Sequence, residues 1–236
     1  EYYKNKSNIK KNELIKKSDV LIIGAPHKSY KNLKIPKNKV LIDIWDWNMK
    51  KINFANPLIN TNEVLKYTNK VLAKNFPNEG EFTKLFKNKI QKILKSKYAI
   101  TTTSGTTAIF LALKSLNVNQ DDEVIVPNIT FPATANAVRM AGAKVVLVDI
   151  DHENLLINIK DLKKKINKKT KVVIPVHVSG RGHNIQEIIR ICKRKKIKVI
   201  EDAAEAFGSK FKKKFLGTFG DFGCFSFAPN KIITTG

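Results

Sequence analysis

Residues 121–151 read DDEVIVPNITFPATANAVRMAGAKVVLVDID, and this stretch decides the fold. A short apolar run at 123–126 stops at Pro127. Residues 133–140 then place apolar side chains at helical spacing, and a second apolar run follows at 144–148. Two short, mostly apolar runs separated by one helical segment, each opened by a charged residue, are the pattern of a crossover unit between buried parallel strands. Working outward, the same alternation continues in both directions. Strands are predicted at 98–102, 171–176, 198–201 and 223–227, and helices at 61–75, 81–94, 106–116, near 159–166 and at 185–195. The expected fold is therefore α/β, a mostly parallel sheet with helices on both faces.

Ahead of this region lie two further apolar runs, at 20–24 and 40–44, each preceded by lysine-rich chain. They read as buried parallel strands of a segment too short for a core of its own. The reading is a partial α/β segment at 1–50, a linker at 51–57 and a large domain at 58–236. A chain that opens on Glu1 and stops at Gly236 just after Thr234-Thr235 is expected to be a fragment, its large domain cut short at the C-terminus.

The chain has 44 basic and 20 acidic residues, a formal charge of +24. Arg occurs only at Arg139, Arg181, Arg190 and Arg194, and the lysines are spread over nearly every helix and turn. Base-reading proteins lean on Arg forks, so this excess reads as compositional bias rather than a nucleic-acid face, although it suits an anionic substrate. No apolar run reaches the roughly 18 residues that span a bilayer, so no membrane partner is expected. Cys192 and Cys224 sit in apolar settings and read as buried thiols of a reducing cytoplasm. The four histidines, His27, His152, His177 and His183, lack metal-ligand spacing, and no metal site is expected.

In an open parallel sheet, ligands gather at the carboxyl ends of the strands, and the polar segments of this chain fall there. Thr103-Ser-Gly-Thr-Thr107 follows the strand at 98–102 and opens a helix, bringing free N–H groups, hydroxyls and a helix dipole to one point. Simple N-capping is the other reading of those hydroxyls. Phe131 follows the strand at 123–126, Asp202 follows 198–201, and Ser226 leads through Ala228-Pro-Asn to Lys231. An aromatic can stack on a flat ligand, a carboxylate at a buried strand end needs a cationic or N–H partner, and a desolvated lysine can act as a nucleophile. Core packing for Phe131, an N-cap for Asp202 and one lysine among forty for Lys231 are the plainer alternatives.

The order of these blocks resembles the DegT/StrS-type sugar aminotransferases, pyridoxal 5'-phosphate enzymes of fold type I. The likeness runs from about residue 56 to 236 and rests on TSGTTA at 103–108, DEVIVP at 122–127, TFPATANA at 130–137, GAKVVLVDID at 142–151, IEDAA at 200–204, and 226–231 with Thr235 and Gly236. It implies that Lys231 carries the cofactor and that Asp202 pairs with its pyridine nitrogen. It further implies that Thr106, Thr107 and Ser226 hold the phosphate and that Phe131 stacks on the ring. Glu205 stands where the family commonly has Gln or His near the cofactor oxygen, and Ala228 where His is frequent. His177 ends the strand at 171–176 and faces either the cofactor or a structural partner.

The implied reaction is transamination of a nucleotide-linked keto-sugar, with glutamate as amino donor, in a cytoplasmic homodimer with shared active sites. Two alternatives stand beside it: a sugar dehydratase, whose relatives replace the cofactor lysine, and a non-catalytic nucleotide-sugar binding protein on the same fold. Residues 12–47 separately resemble the C-terminal nucleotide-binding part of a nucleotide-sugar dehydrogenase, through SDVLIIG at 18–24, His27-Lys28 and VLID at 40–43. A generic strand–loop–strand is the other reading of that segment.

Overall fold

The computed structural model describes residues 11–23, 34–43, 59–74, 79–182 and 184–235. The chain divides into two compact units, Glu1–Asn56 and Pro57–Gly236. In the first, helix α1 (Lys11–Lys17) leads to strands β1 (Val20–Ile23) and β2 (Val40–Asp43), which pair in parallel with Val20 opposite Val40. Lys39 Nζ donates to the carbonyls of Lys16 and Ser18 at 3.2 and 2.8 Å, closing the end of α1. The two strands are not buried on both faces as their composition suggested. Leu21 is buried, but Val20, Ile22, Val40 and Ile42 expose 46–64% of their surface. Side chains alternate across a strand, so a two-stranded pair with one covered face leaves every second residue open. Gly24, Pro26, His27, Lys28, Ile44 and the expected linker at 51–57 lie outside the described residues.

The second unit begins with α2 (Thr61–Leu72) and α3 (Glu81–Leu94), followed by α4 (Gly105–Ser115), β3 (Glu123–Pro127), α5 (Ala133–Met140), β4 (Lys144–Val148), α6 (Ile159–Lys165) and β5 (Thr170–Val173). It continues with a 3-10 turn at Val178–Gly180, α7 (Ile185–Arg194), β6 (Lys198–Asp202), the hairpin β7 (Lys210–Phe211) and β8 (Lys214–Phe215), and β9 (Phe222–Cys224). The central sheet has the order β4-β3-β5-β6-β9, and every neighbour in it is parallel.

Both faces of the inner strands β3, β5 and β6 are covered, which is why these strands read as largely apolar runs, whereas Leu147 of the edge strand β4 is 54% exposed. Val124, Val126, Val172 and Ile200 pack with Ile109 and Leu113 of α4 and Val138 of α5. The intervening Ile125, Val173 and Val199 pack on the other side with Leu162 of α6 and Ile188 and Cys192 of α7. Each fully buried Leu, Ile or Val contributes roughly 1.5–3 kcal/mol of transfer free energy, so the two faces together form the stabilising mass of the unit. Cys192 and Cys224 are free and buried, and burial pushes both thiols up to about 12, which leaves them inert.

Three expectations need correction here, the first being the strand read at 223–227, which runs instead over Phe222–Cys224 and leaves Ser226 beyond its end. The strand read at 98–102 is absent: Tyr98 and Ile100 are 73% and 84% exposed, and no described strand lies alongside them. An extended, β-branched segment becomes a strand only when a neighbour takes its hydrogen bonds. The strand at 171–176 is shorter, ending at Val173, because Pro175 has no N–H for the ladder. Pairing resumes beyond it, as Asp202 N–H donates to Pro175 C=O at 2.9 Å and His177 N–H to Asp202 C=O at 3.0 Å.

Candidate active site

At the carboxyl ends of β3, β6 and β9, and at the start of α4, the chain brings together most of the residues singled out from the sequence. The Ser104 side chain caps α4 by accepting from Thr107 N–H at 3.1 Å, and the first intrahelical bond runs from Ala108 N–H to Ser104 C=O at 3.0 Å. The N–H groups of Gly105 and Thr106 precede that first bond, as the opening groups of any helix must. The hydroxyl of Thr107 meets those of Ser104 and Thr103 at 3.0 and 3.2 Å.

Ser226 abuts this helix start from the end of β9. A methyl group added to Gly105 would lie 3.2 Å from Ser226 Cβ and 3.7 Å from its hydroxyl, so glycine here allows the close approach. The residues on either side of Ser226 are anchored by a run of edge-to-face rings: Phe86 on Phe227 at 5.2 Å, Phe207 on Phe227 at 5.4 Å and Phe207 on Phe225 at 5.8 Å. That anchor escaped sequence reading, because its rings come from segments far apart in the chain.

Lys231 lies beyond this strand, its side chain 17% exposed, with Nζ 3.4 Å from Glu205 Oε1. The other Glu205 oxygen accepts from Ser179 N–H at 3.0 Å, and Ser179 adopts a left-handed φ of 51° in the 3-10 turn. Glu205 therefore bridges Lys231 to that turn. Phe131, after β3, is 77% exposed and presents an uncovered ring.

Asp202 is the last residue of β6 and is only 6% exposed. Its Oδ2 accepts from the hydroxyl of Thr134 at 2.7 Å, and its Oδ1 from Ala204 N–H at 3.2 Å. Burial pushes its carboxyl above the usual range. The Thr134 hydroxyl opposes this most strongly, followed by the Ala204 N–H, His177 and Lys231. An ionised carboxylate offers about four acceptor positions, so two neutral donors leave Asp202 with capacity for a cationic partner.

His177 has a structural environment rather than an open one. It is 2% exposed, with Nε2 2.8 Å from Glu201 Oε2 and Nδ1 3.0 Å from the Arg181 carbonyl. Glu201, also missed from sequence, is fully buried and accepts in addition from the N–H groups of Gly217, Phe219 and Gly220 at 2.9, 2.5 and 2.7 Å. Strand alternation was the available signal, since it turns Glu201 away from the side that Asp202 faces. Among the described residues no cluster of His, Cys, Asp and Glu is placed to hold a metal ion.

Residues 59–236 match the DegT/DnrJ/EryC1/StrS aminotransferase family. The chain belongs to this family. A GDP-perosamine synthase of Escherichia coli O157:H7 is 41% identical over 177 residues, which make up 75% of this chain and 49% of that protein. Among solved structures, the aminotransferase from Psychrobacter cryohalolentis overlays with a TM-score of 0.72 at 30% identity, over 77% of this chain and 46% of its own. The E. coli GDP-4-keto-6-deoxy-D-mannose-3-dehydratase with bound hydrated PLP overlays with a TM-score of 0.73 at 31% identity, over 79% of this chain and 49% of its own. The chain thus spans about half the length of the family members it matches. Fold type I, an α/β architecture with a mostly parallel central sheet, is shared with these structures.

Proposed function

We propose that this chain is the cofactor-holding part of a pyridoxal-phosphate-dependent aminotransferase that delivers an amino group to the ketone of a nucleotide-linked sugar. The observation that carries the reading is the convergence of Asp202, a buried carboxylate with acceptor capacity to spare, and Lys231 at the carboxyl end of one parallel sheet. The donor set suits the group. The free N–H groups of Gly105 and Thr106, with the hydroxyls of Thr106, Thr107 and Ser226, would take its phosphate. Phe131 would cover a ring face, and Asp202 would hold a proton on the pyridine nitrogen. Lys231 Nζ would carry the group and move the proton between the amine carbon and the ring-side carbon.

When bound, pyridoxal phosphate supplies an electron sink for the carbon that loses its proton. The negative charge of Asp202 maintains that sink by keeping the ring nitrogen cationic. Glu205 contacts Lys231 at 3.4 Å with 46% of its side chain exposed, a weak, solvated pair that Lys231 gives up readily. Residues 58–236 form this aminotransferase part in our reading, 51–57 a linker, and 1–50 a partial α/β segment resembling a nucleotide-sugar dehydrogenase tail.

Glutamate is the proposed amino donor, the cytoplasm the proposed compartment, and a homodimer with shared sites the proposed assembly. The exposed Ile100, Phe131 and Ile232, at 84%, 77% and 61%, support a second copy covering the site. No described helix is long and apolar enough to cross a membrane. A dehydratase reading draws support from the structural likeness above, but Lys231 favours transamination, since the dehydratase relatives replace that lysine.

The test is to incubate the protein with pyridoxal phosphate, reduce with borohydride and map the modified residue by mass spectrometry. The label is expected on Lys231 and is expected to vanish in Lys231→Ala. A label that survives Lys231→Ala overturns the proposal. Amino transfer from glutamate to nucleotide keto-sugars then separates the aminotransferase from the dehydratase.

A further inference from the structure

We propose that Thr134 is a positioning residue: its hydroxyl fixes the plane of the Asp202 carboxylate and preserves its negative charge, readying it for the ring nitrogen of the cofactor. The inference rests on the reading of Asp202 given above. Thr134 is fully buried near the start of α5, where an apolar side chain of the same shape would cost less to bury. A buried hydroxyl is kept where it has a partner, and here three oxygens lie within reach: Asp202 Oδ2 at 2.7 Å, Thr130 Oγ1 at 3.0 Å and the Phe131 carbonyl at 3.3 Å.

The hydroxyl has one proton to give. The carboxylate contact is the shortest and the only one to an anion, so it takes that proton. The Phe131 carbonyl is served instead by Thr134 N–H at 3.2 Å. Thr134 Oγ1 is then an acceptor toward Thr130, whose hydroxyl must donate. The result is a directed chain, Thr130 to Thr134 to Asp202, in which each link polarises the next.

Two consequences follow from this geometry. Asp202 receives one donor on each oxygen, from Thr134 and from Ala204, so its plane is fixed while lone pairs remain for another donor. The same threonine also holds the Phe131 turn through its N–H. The residue proposed to cover the ring and the residue proposed to meet the ring nitrogen therefore share one anchor, Thr134, which lies 68 positions from Asp202 in sequence. A shift of α5 would move both together. Burial raises the Asp202 carboxyl, and the Thr134 hydroxyl is the strongest of the groups opposing it, which agrees with this role.

The experiment compares Thr134→Val, which keeps the shape, with Thr134→Ser, which keeps the hydroxyl. Three readouts are taken: the titration of Asp202 by carbon-13 carboxyl NMR without cofactor, the pyridoxal phosphate dissociation constant, and the pH dependence of the bound cofactor's absorbance. For Thr134→Val the Asp202 titration is expected to move to higher pH. Its cofactor affinity is expected to fall about tenfold, the size of one charge-assisted hydrogen bond. Thr134→Ser is expected to restore both. Should Thr134→Val not fold, Thr134→Ala serves in its place, against the same Thr134→Ser rescue. An unmoved Asp202 titration in a folded variant of a wild type that binds cofactor overturns this inference alone. A wild type that binds no pyridoxal phosphate overturns the functional reading and this inference with it.

Discussion

The end of β6 sets two carboxylates side by side and gives them opposite surroundings. Glu201 faces the side of the sheet where the 217–220 turn crosses, and it is saturated: three backbone N–H groups and His177 converge on its two oxygens. Asp202 faces α4 and α5, also buried, and holds only the Thr134 hydroxyl and one N–H. The first carboxylate closes a loop onto the sheet. The second retains acceptor capacity at the place where a parallel sheet collects ligands. Burial alone does not distinguish the two, and the unfinished hydrogen-bonding shell is what supports the role proposed for Asp202.

The largest effect should come from the finished side. Glu201→Ala leaves the N–H groups of Gly217, Phe219 and Gly220 and the ring of His177 without their common acceptor. We expect a loss of roughly 3–5 kcal/mol in denaturant unfolding, comparable to breaking a buried ion pair. Retained stability would show that the turn is held by something other than Glu201.

Gly223 stands opposite Glu201 in the ladder, and the lack of a side chain there lets the 217–220 turn lie against the sheet. In Gly223→Ala the added methyl would meet the Gly217 carbonyl, which has no flexible side chain to yield. A destabilisation of about 1–3 kcal/mol is expected from overpacking, read from the same unfolding curves. An unchanged midpoint would mean that the turn moves freely away from Glu201.

On the unfinished side, Phe131 is exposed and contributes little to the fold. Phe131→Ala should leave unfolding within about 0.5 kcal/mol of wild type, as for surface positions generally. Pyridoxal phosphate affinity should fall roughly tenfold, near the upper end of what an aromatic contact supplies. Equal affinity would remove Phe131 from the cofactor's ring face.

How much of this could be read in the sequence depended on the range of the interactions. The strands and helices from Gly105 to Asp202 were legible because crossover units carry their own periodicity, and α3, α5 and β4 have the bounds that periodicity predicts. Segment 98–102 was not, since its composition suits a strand but strand formation needs a neighbour that composition does not reveal. Among the proposed site residues, Asp202, Ser226 and Lys231 were singled out by their order along the chain. Thr134 and Glu201 were not, because their roles lie in partners 68 and 16–24 positions away. His177 could be read two ways from its position at a strand end, and the contacts with Glu201 and the Arg181 carbonyl give it a structural place.

The contrast between the two carboxylates turns most directly on Asp202→Asn. Burial raises the Asp202 carboxyl in the folded chain above its unfolded value, so the folded state holds this proton more tightly. The stability tied to this group is therefore fully present below the unfolded pKa and is lost as pH rises through the folded one. Burial therefore makes the charged form of Asp202 a burden on the chain without cofactor, and an uncharged amide of the same shape relieves it. Thermal unfolding of Asp202→Asn at neutral pH, with and without pyridoxal phosphate, should show a gain on the order of 1 kcal/mol without cofactor. It should also show loss of most of the stabilisation that the cofactor gives the wild type. A variant less stable than wild type without cofactor, yet still fully stabilised by it, would contradict the account: Asp202 would then be a second structural carboxylate like Glu201.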